Sequence, residues 1–192
     1  PPGVSDSTVR VIRAMCVNEG RLEAINSYDN SFLSIGIFQW TAGAGANPGE
    51  LARLLGGLKS ADAAAFQELF GRYGLDVRLA SPTSVTGTLL LNGTELKTAA
   101  QKAVLRRIEW AYRFWRAGHH PAMRAAQFAL AVSRIARFRT VSVAGRPLNA
   151  WLSSELGIAL MLDEHVNRPG HVPGTLATAI AQVGGGDPTG WT

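Results

Sequence analysis

Two carboxylates and a hydroxyl, Glu19, Asp29 and Ser34, fall within sixteen consecutive residues of this chain. Glu19-Gly20 follows an apolar helical pattern and so belongs to a helix end. Tyr28-Asp29-Asn30 lies in a polar, turn-rich segment, and Leu33-Ser34-Ile35-Gly36-Ile37-Phe38-Gln39-Trp40 is a short strand-like run. Such a set can protonate a leaving oxygen and steer a water. Cleavage of a glycosidic bond needs an acid that stays protonated near neutral pH and, usually, a second carboxylate. Cys16 and Val17 just before Glu19 would bury it in part, raise its pKa and suit it to donate a proton. Asp29, in a polar loop, would stay ionised, and Ser34 would hold the attacking water. Gly36 would let the backbone come close to a sugar ring or to the acid. Tyr28, Asn26, Gln39 and Trp40 are the candidate sugar contacts, Trp40 as a ring facing the cleft. Each residue alone also has an ordinary reading: a solvated Glu19, a turn-forming Asp29, and no meaning for Ser34 or Gln39. Only their order and spacing together point to chemistry.

The elements that must position these groups read as mostly helical. Ser5-Asp6-Ser7 offers helix caps, Val9, Ile12, Met15 and Cys16 mark one apolar face, and Gly20 is a stop. Residues 21–40 read as a loop and short hairpin. Residues 42–49 form a flexible connection, and Pro48 suits the first turn of a helix over 50–55. Residues 60–73 read as a helix capped by Ser60 or Asp62 and stopped by Gly74. Residues 75–79 and 86–91 read as extended, with Asn92-Gly93 as a turn before Thr94-Glu95-Leu96. Thr98 caps a long helix to Trp115 with Val104, Ile108, Ala111, Tyr112 and Trp115 on one face. Gly118-His119-His120-Pro121 breaks it. Residues 123–138 are apolar almost all round and read as a central buried helix. Residues 148–166 form another helix, 172–183 a short apolar one, and 184–192 a glycine-rich, frayed tail.

Bulk properties bound the answer. With 192 residues, 46% of them hydrophobic, the chain can bury a real core. Nineteen Lys and Arg against fourteen Asp and Glu give +5, and the pI is near 10.0. That balance favours polyanions such as nucleic acid, anionic membranes or cell-wall polymer. The basic residues scatter from Arg10 to Arg139 rather than forming a block, which argues against a dedicated nucleic-acid binder. A single cysteine, Cys16, excludes an internal disulfide framework and a multi-cysteine zinc site; its place in an apolar helix reads as a buried, inert thiol. No apolar run is long enough for a transmembrane helix and no signal peptide opens the chain. Pro1-Pro2-Gly3 reads as a linker or fragment boundary.

Glu19-Gly20, Tyr28-Asp29 and Ser34-Ile35-Gly36-Ile37 together resemble the active-site segment of phage-type lysozymes, whose pattern is Glu-Gly, Tyr-x-Asp and Thr-Ile-Gly-Ile-Gly-His. Counted from the Glu, Ser34 and Gly36 stand where that pattern has its Thr and Gly. Asp29 follows Tyr28 without the spacer, and Gln39 stands in place of His. The ending Gly36-Ile37-Phe38-Gln39 is similar to the Gly-Leu-Met-Gln of soluble lytic transglycosylases, a sister group of the same superfamily. The match covers about a sixth of the chain.

The resemblance implies a mainly α (α+β), two-lobed lysozyme-like fold with a small β-hairpin beside the active-site cleft. It implies one catalytic domain over 1–192, with a small lobe at about 18–90 and a helical lobe at about 97–183. Glu19 would be the general acid, Asp29 the base or electrostatic partner and Ser34 the water-positioning hydroxyl. The substrate would be the β-1,4 bond between N-acetylmuramic acid and N-acetylglucosamine in peptidoglycan glycan strands, cleaved without cofactor or metal. Flanking domains of a larger protein, or an immunity or inhibitor protein, are further expected partners. The place of action would be the periplasm or cell wall, reached by phage or secretion-system delivery. The alternatives are a lytic transglycosylase, a chitosanase- or chitinase-like glycosidase, and a non-catalytic wall-binding or structural module.

Other residues carry weaker signals. His119-His120 have no nearby acidic partner and read as loop decoration rather than a metal site. Asp163-Glu164-His165 with Asn167-Arg168 reads as a solvated helix end, with lining of a glycan cleft as the alternative. Trp110, Tyr112 and Trp115 could stack on sugars; for Trp110 and Trp115 the helical spacing favours packing. Gly184-Gly185-Gly186 lacks the flanking signals of a phosphate loop.

Overall fold

Ser5 starts the first helix: its Oγ accepts a hydrogen bond from the Thr8 amide at 3.2 Å, which satisfies one of the orphan donors of a helix N-terminus. Helix α1 covers Asp6–Asn18 in the computed structural model, which describes residues 4–188. Thr8, Val11, Ile12 and Met15 form its buried stripe, the spacing expected of one helix face. Cys16 sits at the edge of that stripe and is half-buried, and burial pushes its thiol pKa up. The readings made for residues 1–3 and for the end of the tail, 189–192, lie outside the described residues.

The chain divides into two units. One is residues 19–130; the other joins 4–18 to 131–188. The first unit opens with three short antiparallel strands, β1 (Ile25–Asn26), β2 (Ser34–Ile35) and β3 (Trp40–Thr41), in the order β1-β2-β3. Helix α2 (Leu51–Ala61) runs straight through Ser60, and α3 (Ala63–Leu69) starts at Asp62, whose side chain accepts from the Ala65 amide. Asp62 rather than Ser60 is therefore the cap. A 3-10 turn over Gly71–Tyr73 ends on Gly74 in the left-handed conformation, φ 83°, where glycine carries no steric penalty. The hairpin expected around Asn92-Gly93 is present: β4 (Leu75–Arg78), β5 (Thr88–Leu91) and β6 (Thr94–Glu95) pair in order. Asn92 and Gly93 both take positive φ, as a two-residue hairpin turn requires.

The helix expected from Thr98 to Trp115 is two helices. Thr98 forms a capping box with Gln101 over α4 (Ala99–Lys102), a 3-10 turn follows, and Arg107 is extended at ψ 144°. Helix α5 then runs Ile108–His119. Its buried face is Trp110, Phe114, Ala117 and Gly118, not the face expected from the apolar spacing. Gly118 selects it: a Cβ there would stand 2.4 Å from the Glu23 Cα, so only glycine lets α5 lie against the chain entering β1. Helix α6 (Pro121–Arg139) begins after His120, whose Nδ1 accepts from the Ala122 amide. It is amphipathic rather than buried all round: Met123, Gln127, Ala131, Ile135 and Phe138 are buried, while Arg124, Ala125, Ala136 and Arg137 are exposed.

In the other unit, β7 (Ser142–Val143) and β8 (Arg146–Pro147) form a hairpin with Ala144 and Gly145 at positive φ. The indole Nε1 of Trp151 donates to the Val143 carbonyl at 2.8 Å. The helix expected over 148–166 is a 3-10 turn at Leu148–Ala150 followed by α7 (Glu155–Asn167), capped by Ser154. Helix α8 spans Val172–Gln182. Helix α7 packs on α1 and α8, and Arg10 grips the Glu155 carboxylate with both Nε and Nη2. Among the described residues no helix is long and apolar enough to cross a membrane.

Candidate active site

The three-stranded sheet separates polar from apolar side chains. Ile25 faces Ile35 and Ile35 faces Trp40, while Asn26 faces Ser34 and Ser34 faces Thr41. Because directly opposed residues in an antiparallel pair point to the same side, one face carries Ile25, Ile35 and Trp40. The other carries Asn26, Ser34 and Thr41. Trp40 is 1% exposed and packs on Phe38 at 5.6 Å between ring centroids. This corrects the expectation that Trp40 faces a cleft: its register puts it on the hydrophobic face, and no ring surface is left for a sugar.

The polar face continues into the turn that follows β1. Asn26 Nδ2 donates to Asp29 Oδ2 (3.1 Å), the Ser31 amide donates to Asp29 Oδ1 (2.8 Å), and the Tyr28 amide donates to Asn26 Oδ1 (3.2 Å). Both oxygens of Asp29 thus organise the loop, the behaviour of a turn-forming aspartate. Arg106 holds the same loop from outside. Its Nη2 donates to the Asp29 carbonyl at 2.5 Å, and its guanidinium lies over the Phe32 ring. Tyr28 projects into solvent, 86% exposed, whereas Ser34 is buried, 2% exposed.

Glu19 opens this unit, is half-buried, and is engaged by another group of the protein. The next residue, Gly20, has φ 152°, and a Cβ there would lie 2.8 Å from the Ala24 Cβ and 3.1 Å from Gln39 Nε2. Gly20, next to Glu19, therefore lies directly against the turn Gly36–Gln39. Gln39 closes that turn twice, through its backbone amide (3.1 Å) and its Nε2 (3.0 Å), both donating to the Gly36 carbonyl. Gln39 itself has φ 46°, a left-handed conformation unusual for a non-glycine residue. The side-chain bond to Gly36 helps to hold it there. The Gly36 amide in turn donates to the Ala24 carbonyl at 2.9 Å.

One residue not singled out in the sequence ties these pieces together. Gln127 of α6 is fully buried. Its Nε2 donates to the Leu22 carbonyl (2.8 Å) and its Oε1 accepts from the Ile37 amide (3.3 Å). A Cβ on Gly36 would stand 1.9 Å from that Oε1, so glycine at 36 makes room for the clamp. The available signal was a glutamine set four residues from Met123 and from Ala131 in an otherwise apolar stripe. Lys102, equally hidden in the sequence, is 2% exposed; its Nζ donates to the Gly43 and Asn47 carbonyls and pins the loop after β3. Burial lowers its pKa.

The structure thus joins Gly20, Gly36 and Gln39 in one packed turn and joins Asn26, Asp29 and Ser34 in a second polar group on the same small sheet. Among the described residues, no three His, Cys, Asp or Glu side chains gather as metal ligands would. His165, from the helix-end cluster, has its ring against Phe138, and Arg134 donates to its Nδ1 and its carbonyl. Burial first, then the Arg134 and Arg137 charges, lowers its pKa to about 4. Comparison with protein-family models, with curated proteins and with solved structures gives no match to this chain.

Proposed function

We propose that this protein cleaves the β-1,4 bond between N-acetylmuramic acid and N-acetylglucosamine of peptidoglycan, with Glu19 as the general acid and a lysozyme-like two-lobed arrangement. The observation that carries the reading is the packing of Gly20, the residue after Glu19, on the turn Gly36–Gln39. Gly20 and Gly36 belong to the lysozyme-like motif and are fitted closely in space. A general acid must be held to within a fraction of an ångström of its target, and a backbone locked by two glycines and Gln127 supplies such rigidity. In this reading Tyr28 offers an exposed ring to the sugar, Asn26 and Gln39 shape the site through their bonds to Asp29 and Gly36, and the Ser34 hydroxyl would orient the attacking water. The +5 charge suits an anionic wall polymer.

A lytic transglycosylase is the second reading, favoured by the state of Asp29. Both of its carboxylate oxygens already serve the loop, which suits a mechanism that needs Glu19 alone and lets a substrate hydroxyl attack. Mass spectrometry of a peptidoglycan digest separates the two. Hydrated reducing ends, lost in both Glu19→Gln and Asp29→Asn, support hydrolysis with two carboxylates. Anhydro ends lost only in Glu19→Gln support transglycosylation. Intact glycan strands from the unaltered protein would refute both.

A further inference from the structure

The solvent side of α5 is aromatic. Ile108, Tyr112, Trp115 and His119 recur at helical spacing opposite the buried Trp110, Phe114 and Ala117. Ile108 is 78%, Tyr112 57% and Trp115 46% exposed. The Tyr112 and Trp115 rings lie nearly parallel, 22° apart with centroids at 6.0 Å, and His119 abuts Trp115 at 4.5 Å. Tyr28, Tyr112 and Trp115 are the exposed Phe, Tyr or Trp side chains among the described residues. A contiguous row of large exposed apolar groups is a candidate interaction surface.

We propose that this face is a second glycan-holding platform, on which sugar rings of an anionic glycan strand stack outside the cleavage site; the identity of the strand as peptidoglycan rests on the function proposed above. Three observations select this occupant. The strip is too small for a stable protein interface: its exposed ring and aliphatic surface is on the order of 300–400 Å², less than half of the roughly 800 Å² that each partner commits to such an interface. Tyr112 and Trp115 are each half exposed, and an exposed aromatic ring can stack on the C–H face of a pyranose, while the Tyr112 hydroxyl, the Trp115 indole nitrogen and His119 Nε2 can meet sugar hydroxyls. Its surroundings are basic. Arg107 and Arg116 are exposed on this stretch, and among the described residues no carboxylate pairs with either; Arg106 and Arg113 are engaged elsewhere, at the Asp29 carbonyl and over the Tyr73 and Trp110 rings. Exposed guanidinium groups beside stacked rings fit a polymer that bears both sugar rings and carboxylates. Burial of Trp40 adds weight, because the ring expected to stack on sugar near Glu19 is in the core.

The test uses the full chain carrying Glu19→Gln, so that the polymer stays intact, and follows its co-sedimentation with purified insoluble peptidoglycan. Tyr112→Ala/Trp115→Ala should weaken binding about tenfold or more, as loss of two stacking anchors does. Tyr112→Phe/Trp115→Phe should restore most of it. In the otherwise unaltered protein, the Ala pair should slow cleavage of the insoluble polymer and leave cleavage of short soluble fragments unchanged. Binding equal to that of the parent overturns the proposal. So does a dimer in sedimentation velocity that the Ala pair abolishes, or aromatic-dependent binding of a single-stranded oligodeoxynucleotide without binding of peptidoglycan. The two readings fail separately: cleavage without aromatic-dependent binding removes the platform only, and aromatic-dependent binding without cleavage removes the enzyme only. Circular dichroism confirms that the substituted proteins remain folded.

Discussion

Gln127 offers the sharpest stability prediction, because its amide is fully buried and both ends are used. In Gln127→Ala the Leu22 carbonyl and the Ile37 amide each lose a partner. A buried polar group left unpaired costs about 1–3 kcal/mol. The Ile37 bond, at 3.3 Å, belongs at the low end of that range and the Leu22 bond, at 2.8 Å, higher. With the small cavity left behind, the expected loss is about 3–5 kcal/mol, a large share of the 5–15 kcal/mol by which domains are usually stable. Gln127→Leu keeps most of the volume and should lose about 2–4 kcal/mol. Gln127→Glu adds a pH signature. One carboxylate oxygen would face the Leu22 carbonyl, so the folded state favours the protonated acid and raises its pKa above the unfolded value of about 4.3. Its stability should then be close to wild type below that pH and fall as pH rises through the folded pKa. Urea unfolding at pH 4 and pH 7 measures all of this. A loss under about 1 kcal/mol in Gln127→Ala would refute the clamp, given the penalty expected for unpaired buried groups.

Two further predictions concern the same turn and the second unit. Gly36→Ala places a Cβ 1.9 Å from Gln127 Oε1 at φ 82°, so it should destabilise strongly in the wild type and by at least about 1 kcal/mol less in a Gln127→Ala background; equal costs in both backgrounds, read by a double-mutant cycle in urea, would show that the two residues do not meet. His165 has its pKa lowered from 6.5 to about 4, so the unfolded chain binds its proton first. Stability should therefore be full above pH 6.5 and decline as pH falls towards 4. His165→Phe should flatten that part of the profile in thermal melts; an unchanged slope would place the titration elsewhere.

Local chemistry made much of the fold legible. The Ser5 and Thr98 caps, the left-handed Gly74 and the Asn92-Gly93 turn act through neighbouring residues, so a linear sequence contains their cause. Where two candidates were local equals, as Ser60 and Asp62 were, the carboxylate that reaches the Ala65 amide decided the cap. The face of α5 was not legible. Ile108, Tyr112 and Trp115 form one apolar stripe and Trp110, Phe114 and Ala117 another, and periodicity cannot say which turns inward. Gly118 decides it through a close approach to Glu23, a contact across 95 residues of chain. Trp40 was misplaced for a related reason: strand register, not proximity to Glu19 in sequence, fixes its side of the sheet. Of the candidate site, the glycines and Gln39 gather as a packed unit, while Gln127 and Lys102 came from distant helices and had no local signature beyond a polar residue in an apolar stripe.

The most direct measurement of the central claim is the rate at which soluble fragments are released from purified peptidoglycan by the unaltered protein and by Glu19→Gln. Loss of a general acid should reduce that rate by about 10²–10⁴-fold. Binding to the polymer should persist, because the amide keeps the shape of the carboxyl. Release by Glu19→Gln within a few-fold of the unaltered protein, or no release by either, would contradict the assignment of Glu19 as the acid.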